Sequence, residues 1–188
     1  MDEEKKPRNF TYVDNSNVFI EGSRASAVAK GLPGAESYIA AMVNHVTDKA
    51  WQPDYGRLHE FVCGPKAEIG CAKLWGSPPP GDSFWDMVKR KGFDVKTYEK
   101  NFAGKEKKVD VAIAHQMTKD AYSGIVRRGV DEITLVAGDQ DYVPVVVDLM
   151  ENGFTIHVVF WENAAPELKA ACSKFTSLNP VLDYLSRR

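Results

Sequence analysis

Short apolar runs alternate with amphipathic segments along most of this chain. Runs rich in β-branched and aromatic residues predict five strands, at residues 10–13, 58–63, 93–98, 132–137 and 154–160. Apolar side chains that recur at helical spacing predict helices at residues 36–50, 82–92, 110–122 and 142–152. Strands that alternate with helices are typical of βαβ units. The pattern therefore predicts an α/β fold with a mainly parallel sheet.

Other stretches lack this regular period. Residues 15–35 are rich in Gly, Ser and Asn and contain a turn at 31–34, and residues 64–81 are predicted to form a loop. The segment after residue 160 is predicted to hold one or two short helices. Residues 1–8 are charged and predicted to be a flexible tail, which leaves residues 9–188 as a single domain.

Length and composition narrow the class of protein. A chain of 188 residues with 44% hydrophobic and 27% charged residues is typical of a soluble globular domain. Its formal net charge of -2 gives no overall support to nucleic-acid binding, which would need a local basic patch or a metal ion. Three cysteines without C-x-x-C spacing argue against a disulfide framework and fit a reducing cytoplasm. We expect neither a signal peptide nor a membrane span.

Four aspartates fall where a parallel sheet would bring them together. Asp14 follows the first predicted strand, and Asp139 and Asp141 follow the fourth. Asp110 begins the helix that follows the third strand, so it belongs at the same edge. Ligands of open α/β sheets bind at this carboxyl edge, at the point where the strand order reverses. If the first and fourth strands are neighbours, the four carboxylates converge.

Converged carboxylates repel one another, and a divalent cation removes that conflict. Hard oxygen ligands suit Mg²⁺ or Mn²⁺, and such an ion can activate water for the hydrolysis of a phosphate ester. Taken singly, Asp110 and Asp141 could instead be helix caps, and Asp139 could serve a turn. Three other aspartates are expected to be solvated: Asp120, Asp131 and Asp148.

Three short motifs resemble those of the NYN domain family, a branch of the PIN-like nuclease superfamily that includes LabA-like proteins. They are Val13-Asp14-Asn15-Ser16-Asn17, Lys108-Val109-Asp110-Val111-Ala112 and Val136-Ala137-Gly138-Asp139-Gln140-Asp141-Tyr142. The likeness spans residues 9–160. Lys108 stands where the family usually has glycine, and Tyr142 stands where it usually has phenylalanine.

The resemblance implies a PIN-like three-layer α/β/α fold with five strands in the order 3-2-1-4-5. It also implies a metal-dependent ribonuclease whose Mg²⁺ or Mn²⁺ ligands match Asp14, Asp110, Asp139 and Asp141. Asn17 matches the family's motif asparagine, which would orient a ligand or a substrate phosphate.

Basic and aromatic side chains could contribute to RNA binding. Three lysines precede Asp110 and could guide an RNA backbone, or could simply belong to a solvated loop: Lys105, Lys107 and Lys108. Trp75 and Trp85 could stack on bases, although packing inside the protein is the more ordinary role.

Other functions remain open from the sequence. A phosphohydrolase of the haloacid dehalogenase type would need a second aspartate at the position of Ser16, which counts against it. A non-catalytic RNA-binding or regulatory module on the same scaffold is a further alternative. A dinucleotide-binding enzyme is disfavoured because no G-x-G-x-x-G follows the first strand. The oligomeric state is not fixed, and a homodimer is one of the open alternatives.

Overall fold

A parallel sheet forms the centre of the protein. The structure, a computed structural model, describes residues 6–77, 81–98 and 109–187. In these ranges the sheet has six strands in the order β3-β2-β1-β4-β5-β6, and each pairing between neighbours is parallel. The strands are β1 (Asn9–Asp14), β2 (Ile69–Gly76), β3 (Asp94–Thr97), β4 (Glu132–Val136), β5 (Thr155–Phe160) and β6 (Lys174–Ser177). The predicted order of the first five strands is confirmed, and β6 adds an edge strand that the sequence pattern did not predict.

Helices lie between successive strands, and one more follows β6. They are α1 (Asn15–Ala29), α2 (Tyr38–Val43), α3 (Tyr55–Cys63), α4 (Asp82–Arg90), α5 (Val109–Tyr122), α6 (Val143–Glu151), α7 (Pro166–Ala171) and α8 (Leu182–Leu185). Short 3₁₀ turns occur at Lys66–Glu68, Gln140–Tyr142 and Asn179–Val181. The predicted helices that became α4, α5 and α6 are confirmed. Within the described ranges, no helix combines the length and the apolar character that crossing a membrane requires.

Successive residues of the strands face two separate hydrophobic cores. On β1, Tyr12 packs with Ile113 of α5, whereas Val13 packs with Val18 of α1 and Leu58 of α3. Because side chains alternate between the faces of a strand, the two cores lie on opposite sides of the sheet. The protein therefore has three layers, with α1, α3, α4 and α8 on one face and α5, α6 and α7 on the other.

The predicted second strand was wrong, since residues 58–63 form most of α3. Asp54 caps this helix by accepting hydrogen bonds from the backbone N–H groups of Gly56 and Arg57 at 2.9 and 3.1 Å. Tyr55, Leu58 and Val62 are buried at spacings of three and four residues, which is a helical and not a strand pattern. The chain instead supplies β2 from the predicted loop.

Glycines and a lysine interrupt the apolar run of β2, which is why the sequence did not reveal it. Gly70 lies against Phe10, and a Cβ there would come within 2.5 Å of the phenylalanine ring. A larger residue would therefore separate β2 from β1. Neighbouring strands on both sides stabilise β2, and that support is not visible in a local window.

The stretch after β1, for which the sequence predicted no regular element, is also helical. Residues 15–29 form α1, and its buried face carries small residues. One of them, Gly22, packs directly against Trp51 and Trp161 and leaves no room for a larger side chain. The predicted helix at residues 36–50 is limited to α2, and its apolar residues Ile39 and Met42 are exposed. Small residues lower the hydrophobic signal of a helix even when they permit close packing.

Two aspartates that were expected to be solvated are buried. Asp120 accepts a hydrogen bond from the Tyr12 hydroxyl at 2.8 Å and pairs with Lys73. Asp131, whose side chain is 0% exposed, pairs with Arg8 at 2.9 Å. Both lie within the fold because partners distant in the chain compensate their charge. Asp148 is exposed, as expected.

The tryptophans and cysteines behave as ordinary structural residues. Trp75 and Trp85 are buried, so the packing interpretation is confirmed for both. The three cysteines are free thiols, which agrees with the predicted absence of a disulfide framework.

Candidate active site

The carboxyl ends of β1 and β4 lie side by side at the centre of the sheet. Val13 is in register with Val136 in this parallel pair. Asp14 is the last residue of β1, and Asp139 comes three residues after β4 ends. Because both strands run in the same direction, the chain delivers the two aspartates to one edge of the sheet.

A cavity of about 270 Å³ opens at this edge. Its lining includes Asn17 and all four aspartates that the sequence singled out. The lining residues are Asp14, Ser16, Asn17, Ile20, Glu21, Val109, Asp110, Asp139 and Asp141. The structure thus brings together residues from three separate parts of the chain, whereas their role in catalysis or metal binding stays a prediction.

Asp14 is held in place by its neighbours. One carboxylate oxygen accepts a hydrogen bond from the backbone N–H of Asn17 at 3.1 Å, so Asp14 also caps α1. The other oxygen accepts a hydrogen bond from the Tyr142 hydroxyl at 3.0 Å. Burial raises the pKa of Tyr142, and the nearby negative charges of Asp14, Asp110 and Asp139 raise it further. Tyr142 therefore remains a neutral donor beside a concentrated negative charge.

Asp110 has a buried carboxylate oxygen at the edge of the cavity. It is the second residue of α5, and its Oδ1 atom is buried without a hydrogen-bond partner among the residues that the structure describes. An unpaired buried acceptor is unfavourable, and it is more so when the group is charged. A cation in the cavity would compensate for this oxygen.

Asp139 and Asp141 are both exposed. Asp139 directly precedes the 3₁₀ turn Gln140–Tyr142, and Asp141 lies within it. The helix-cap interpretation of Asp141 is wrong, because Tyr142 holds the N-cap position of α6. Asp139 precedes the 3₁₀ turn without a capping side-chain hydrogen bond among the described residues. Both carboxylates are therefore accessible to water and to a ligand.

Asn17 and Gly138 connect the two halves of the cavity. The Asn17 side-chain oxygen accepts a hydrogen bond from the Gly138 N–H at 3.3 Å, which links α1 to the segment after β4. A Cβ at Gly138 would come within 2.1 Å of the Phe160 ring. A larger residue at position 138 would clash with this ring and displace Asp139 from the cavity. Close packing against Phe160 therefore explains why this position of the motif is a glycine.

The sequence interpretation missed Glu21. This residue lies one helical turn after Asn17 and lines the same cavity. The pKa of Glu21 is raised above its ordinary value. Burial is the largest cause and the charge of Asp139 adds to it, whereas the Arg24 guanidinium acts in the opposite direction. Recognising residues 15–29 as a helix would have placed Glu21 beside Asn17, because residues four apart share one helix face. The predicted RNA-guiding lysines Lys105, Lys107 and Lys108 lie outside the described residues.

The cavity has suitable ligand types for a divalent ion but not a closed coordination cage. Within residues 6–77, 81–98 and 109–187, no three or more His, Cys, Asp or Glu side chains form a metal-binding group. Mg²⁺ in proteins is commonly held by one or two carboxylates and keeps several waters. The Asp110 oxygen, which has no partner in the part of the chain that the structure describes, and the carboxylate lining fit such an open site.

We expect the Tyr142→Phe substitution to lower the free energy of unfolding by about 1 kcal/mol, because Asp14 loses a buried hydrogen bond. Urea denaturation would measure the change. Tyr122→Phe is a matched control, since the Tyr122 hydroxyl donates to Asp148 at 2.9 Å on the exposed surface and should contribute less. Equal losses in the two variants would contradict a supporting role for Tyr142.

Comparisons with known proteins agree with this fold. The family model of the NYN domain matches residues 15–179. The crystal structure of a protein of unknown function from Vibrio parahaemolyticus superposes with a TM-score of 0.63 and 17% sequence identity, over 94% of this chain and 96% of that chain. At this identity the likeness concerns the fold alone. A search of curated proteins found no match.

Proposed function

This chain belongs to the NYN domain family, and we propose that it is a metal-dependent ribonuclease that hydrolyses RNA phosphodiester bonds at the carboxylate cavity. The family is nuclease-like and has a PIN-like fold, which supports the reaction class. The single observation that carries the proposal is the buried oxygen of Asp110, which has no hydrogen-bond partner among the described residues, in a cavity that Asp14 and Asp139 also line.

Electrostatics decides which substrates such a cavity can accept. Five acidic residues line it, namely Asp14, Glu21, Asp110, Asp139 and Asp141. An RNA phosphate is an anion and would be repelled by this surface. The carboxylates would become useful for phosphate chemistry only with a cation between them and the substrate. The negative charge of the cavity therefore favours a divalent ion over catalysis by the side chains alone.

We assign the metal-holding role to Asp14, Asp110, Asp139 and Asp141, with Mg²⁺ or Mn²⁺ as the ion. When bound, such an ion polarises a phosphate oxygen and makes a bound water more acidic. Asn17 holds the edge of the cavity through Gly138, and its amide group is of the type that can donate to a phosphate oxygen.

The exposed carboxylates of Asp139 and Asp141 are accessible to the attacking water. Either can accept its proton as a general base while the phosphodiester bond breaks. Tyr142 keeps Asp14 oriented through its hydroxyl and remains protonated, because burial and the surrounding charges raise its pKa.

A non-catalytic RNA-binding module is the second candidate function. It is favoured by the lack of a closed three-ligand metal group in the part of the chain that the structure describes. A small-molecule phosphohydrolase of the haloacid dehalogenase type is not favoured, since Ser16 occupies the place of its second aspartate.

Cleavage assays distinguish these functions. Purified protein would be incubated with labelled RNA, labelled single-stranded DNA and a generic phosphate ester, each with Mn²⁺, with Mg²⁺ and with chelator. We expect RNA cleavage with a divalent ion and its loss with chelator, because the carboxylates alone repel the substrate. Binding of RNA without cleavage under all conditions would support the non-catalytic module. Turnover of the generic ester alone would support a phosphohydrolase, and either result would end the ribonuclease proposal.

A further inference from the structure

A second cavity of about 580 Å³ adjoins the carboxylate cavity. The two share Asn17, Glu21 and Asp139 as lining residues. Its other walls come from α1, α2 and the segment between β5 and α7. A volume of this order is typical of pockets for small organic groups. Any group bound here would lie directly beside the proposed site of phosphate hydrolysis.

Four of the five charged residues that line this second cavity form two ion pairs. Arg24 forms an ion pair with Glu21, and Lys169 pairs with Glu162 at 3.2 Å. Asp139 is the remaining charged lining residue, and it belongs to the carboxylate cavity as well. The cavity therefore offers little attraction to a phosphate. Its electrostatic character suits a neutral group.

One wall of the cavity is apolar and exposed. Ile39 is 69% exposed and Met42 is 45% exposed, and both belong to the short helix α2. Tyr38, from the same helix, is held by a hydrogen bond from the Asn163 amide to its hydroxyl at 2.6 Å. Apolar side chains and an aromatic ring on one wall are suitable for packing against the flat face of a base.

Two polar atoms of the residues that line this cavity are buried without a hydrogen-bond partner among the described residues. Arg24 Nε is a donor and Asn163 Oδ1 is an acceptor, and neither has a hydrogen-bond partner within the described ranges. Buried polar atoms are usually hydrogen-bonded, so two residues that line the cavity hold one donor and one acceptor that a ligand with both functions would satisfy after a small side-chain movement. The edges of nucleobases present donors and acceptors together.

We propose that this second cavity binds one unpaired nucleobase of single-stranded RNA, next to the phosphate that is cleaved. The inference rests on the proposed function, because it places the base beside the hydrolytic site. A base inside a duplex is stacked and paired, and it would have to leave the helix to enter the cavity. The protein should therefore discriminate between single-stranded and double-stranded RNA.

Nucleotide binding tests this inference without relying on cleavage. Adenosine and uridine 5′-monophosphates would be titrated into the protein with chelator present, and binding followed by nuclear magnetic resonance. Ribose 5-phosphate serves as the ligand without a base. We expect the nucleotides, but not ribose 5-phosphate, to shift the Asn163 amide and the Ile39 and Met42 methyl signals.

A double substitution, Ile39→Ala with Met42→Ala, removes the apolar wall from exposed positions that contribute little to folding. We expect it to weaken nucleotide binding roughly tenfold, because the base loses its stacking surface. Val43→Ala is the matched control, since Val43 is 66% exposed on the same helix and does not line the cavity. Equal weakening in the control, or equal binding of ribose 5-phosphate, would overturn the inference.

Cleavage of one RNA strand, alone and in a perfect duplex, separates this inference from the proposed function. Faster cleavage of the single strand supports the base site. Equal cleavage of both forms would overturn the base site and leave the ribonuclease standing. Base-dependent nucleotide binding without cleavage of either form would leave the base site standing and refute the ribonuclease.

Discussion

The Asp110→Asn substitution is expected to reduce metal-dependent RNA cleavage by at least about 100-fold. Asparagine has nearly the same shape as aspartate but is neutral, so it cannot compensate a cation as a carboxylate does. The buried Oδ1 atom, which lacks a partner among the described residues, makes this side chain the most sensitive position of the cavity. Initial rates of cleavage and manganese binding should fall together.

The same substitution should leave the folded state as stable as the wild type, or more stable, when no metal is present. Asp110 lies near Asp14 and Asp139, as their joint effect on the pKa of Tyr142 indicates, and neutralising one carboxylate relieves their repulsion. Thermal unfolding with chelator would measure this. A decrease in both stability and activity would instead indicate a damaged fold.

Asp94→Asn is the matched control for this experiment. Asp94 is exposed at the amino end of β3, which is the opposite edge of the sheet from the cavity. We expect it to retain cleavage and manganese binding. If Asp110→Asn cleaved RNA at the rate of this control, the carboxylate cavity would not be the active site.

The Asp131→Ala substitution is expected to lower the free energy of unfolding by about 3 kcal/mol. Asp131 accepts hydrogen bonds from the backbone N–H groups of Arg8 and Arg127 at 2.9 and 2.8 Å, and it also pairs with both guanidinium groups. This network connects the residues before β1 and β4 and so fixes the amino ends of the two central strands. Urea denaturation at pH 7 would measure the loss.

The pH dependence of stability should change in the same variant. Burial acts to raise the pKa of Asp131, but hydrogen bonds from Arg127 and Arg8 outweigh it and hold the pKa well below its ordinary value. A carboxyl group with a lowered pKa in the folded state contributes stability above its unfolded pKa of about 4. That contribution decreases as the pH falls below about 4, because the unfolded chain takes up the proton first, and it is lost completely once the folded group is protonated as well.

Wild-type stability should therefore decline more steeply than that of Asp131→Ala between about pH 4 and pH 2. Asp131→Asn, which keeps the shape but not the charge, should show the same flatter profile with a smaller loss at pH 7. Parallel pH profiles of the wild type and both variants would contradict the assigned role of this carboxylate.

Local patterns were sufficient to predict the strands that form apolar runs and the aspartates that follow them. β4 and β5 are buried on both faces, so their apolar runs are continuous and visible in the sequence. Asp14 and Asp139 were placed correctly at the sheet edge because their positions depend only on where those strands end. The strand order came from the family resemblance and not from periodicity.

Local patterns failed where packing between distant segments decides the structure. The strand β2 was missed because glycines interrupt its apolar run, and the reason for them appears only in the folded protein, where Gly70 lies against Phe10 and Gly76 against Trp85. Asp131 was expected to be solvated because its partner Arg8 lies 123 residues away in the chain. Glu21 was missed because α1 was not predicted as a helix. The small residues of α1 permit its contacts with Trp51 and Trp161, but they weaken the hydrophobic signal in the sequence.

The sequence by itself determined the fold class, the central strands and the acidic residues available for chemistry. Only the tertiary structure decided that the oxygen of Asp110 is buried without a partner among the described residues. It also decided that Arg24 and Asn163 line a second cavity beside the carboxylate cavity. The physical reason is that hydrophobic periodicity reports the local environment of a segment. The burial and pairing of a polar atom instead depend on segments that meet only in the folded chain.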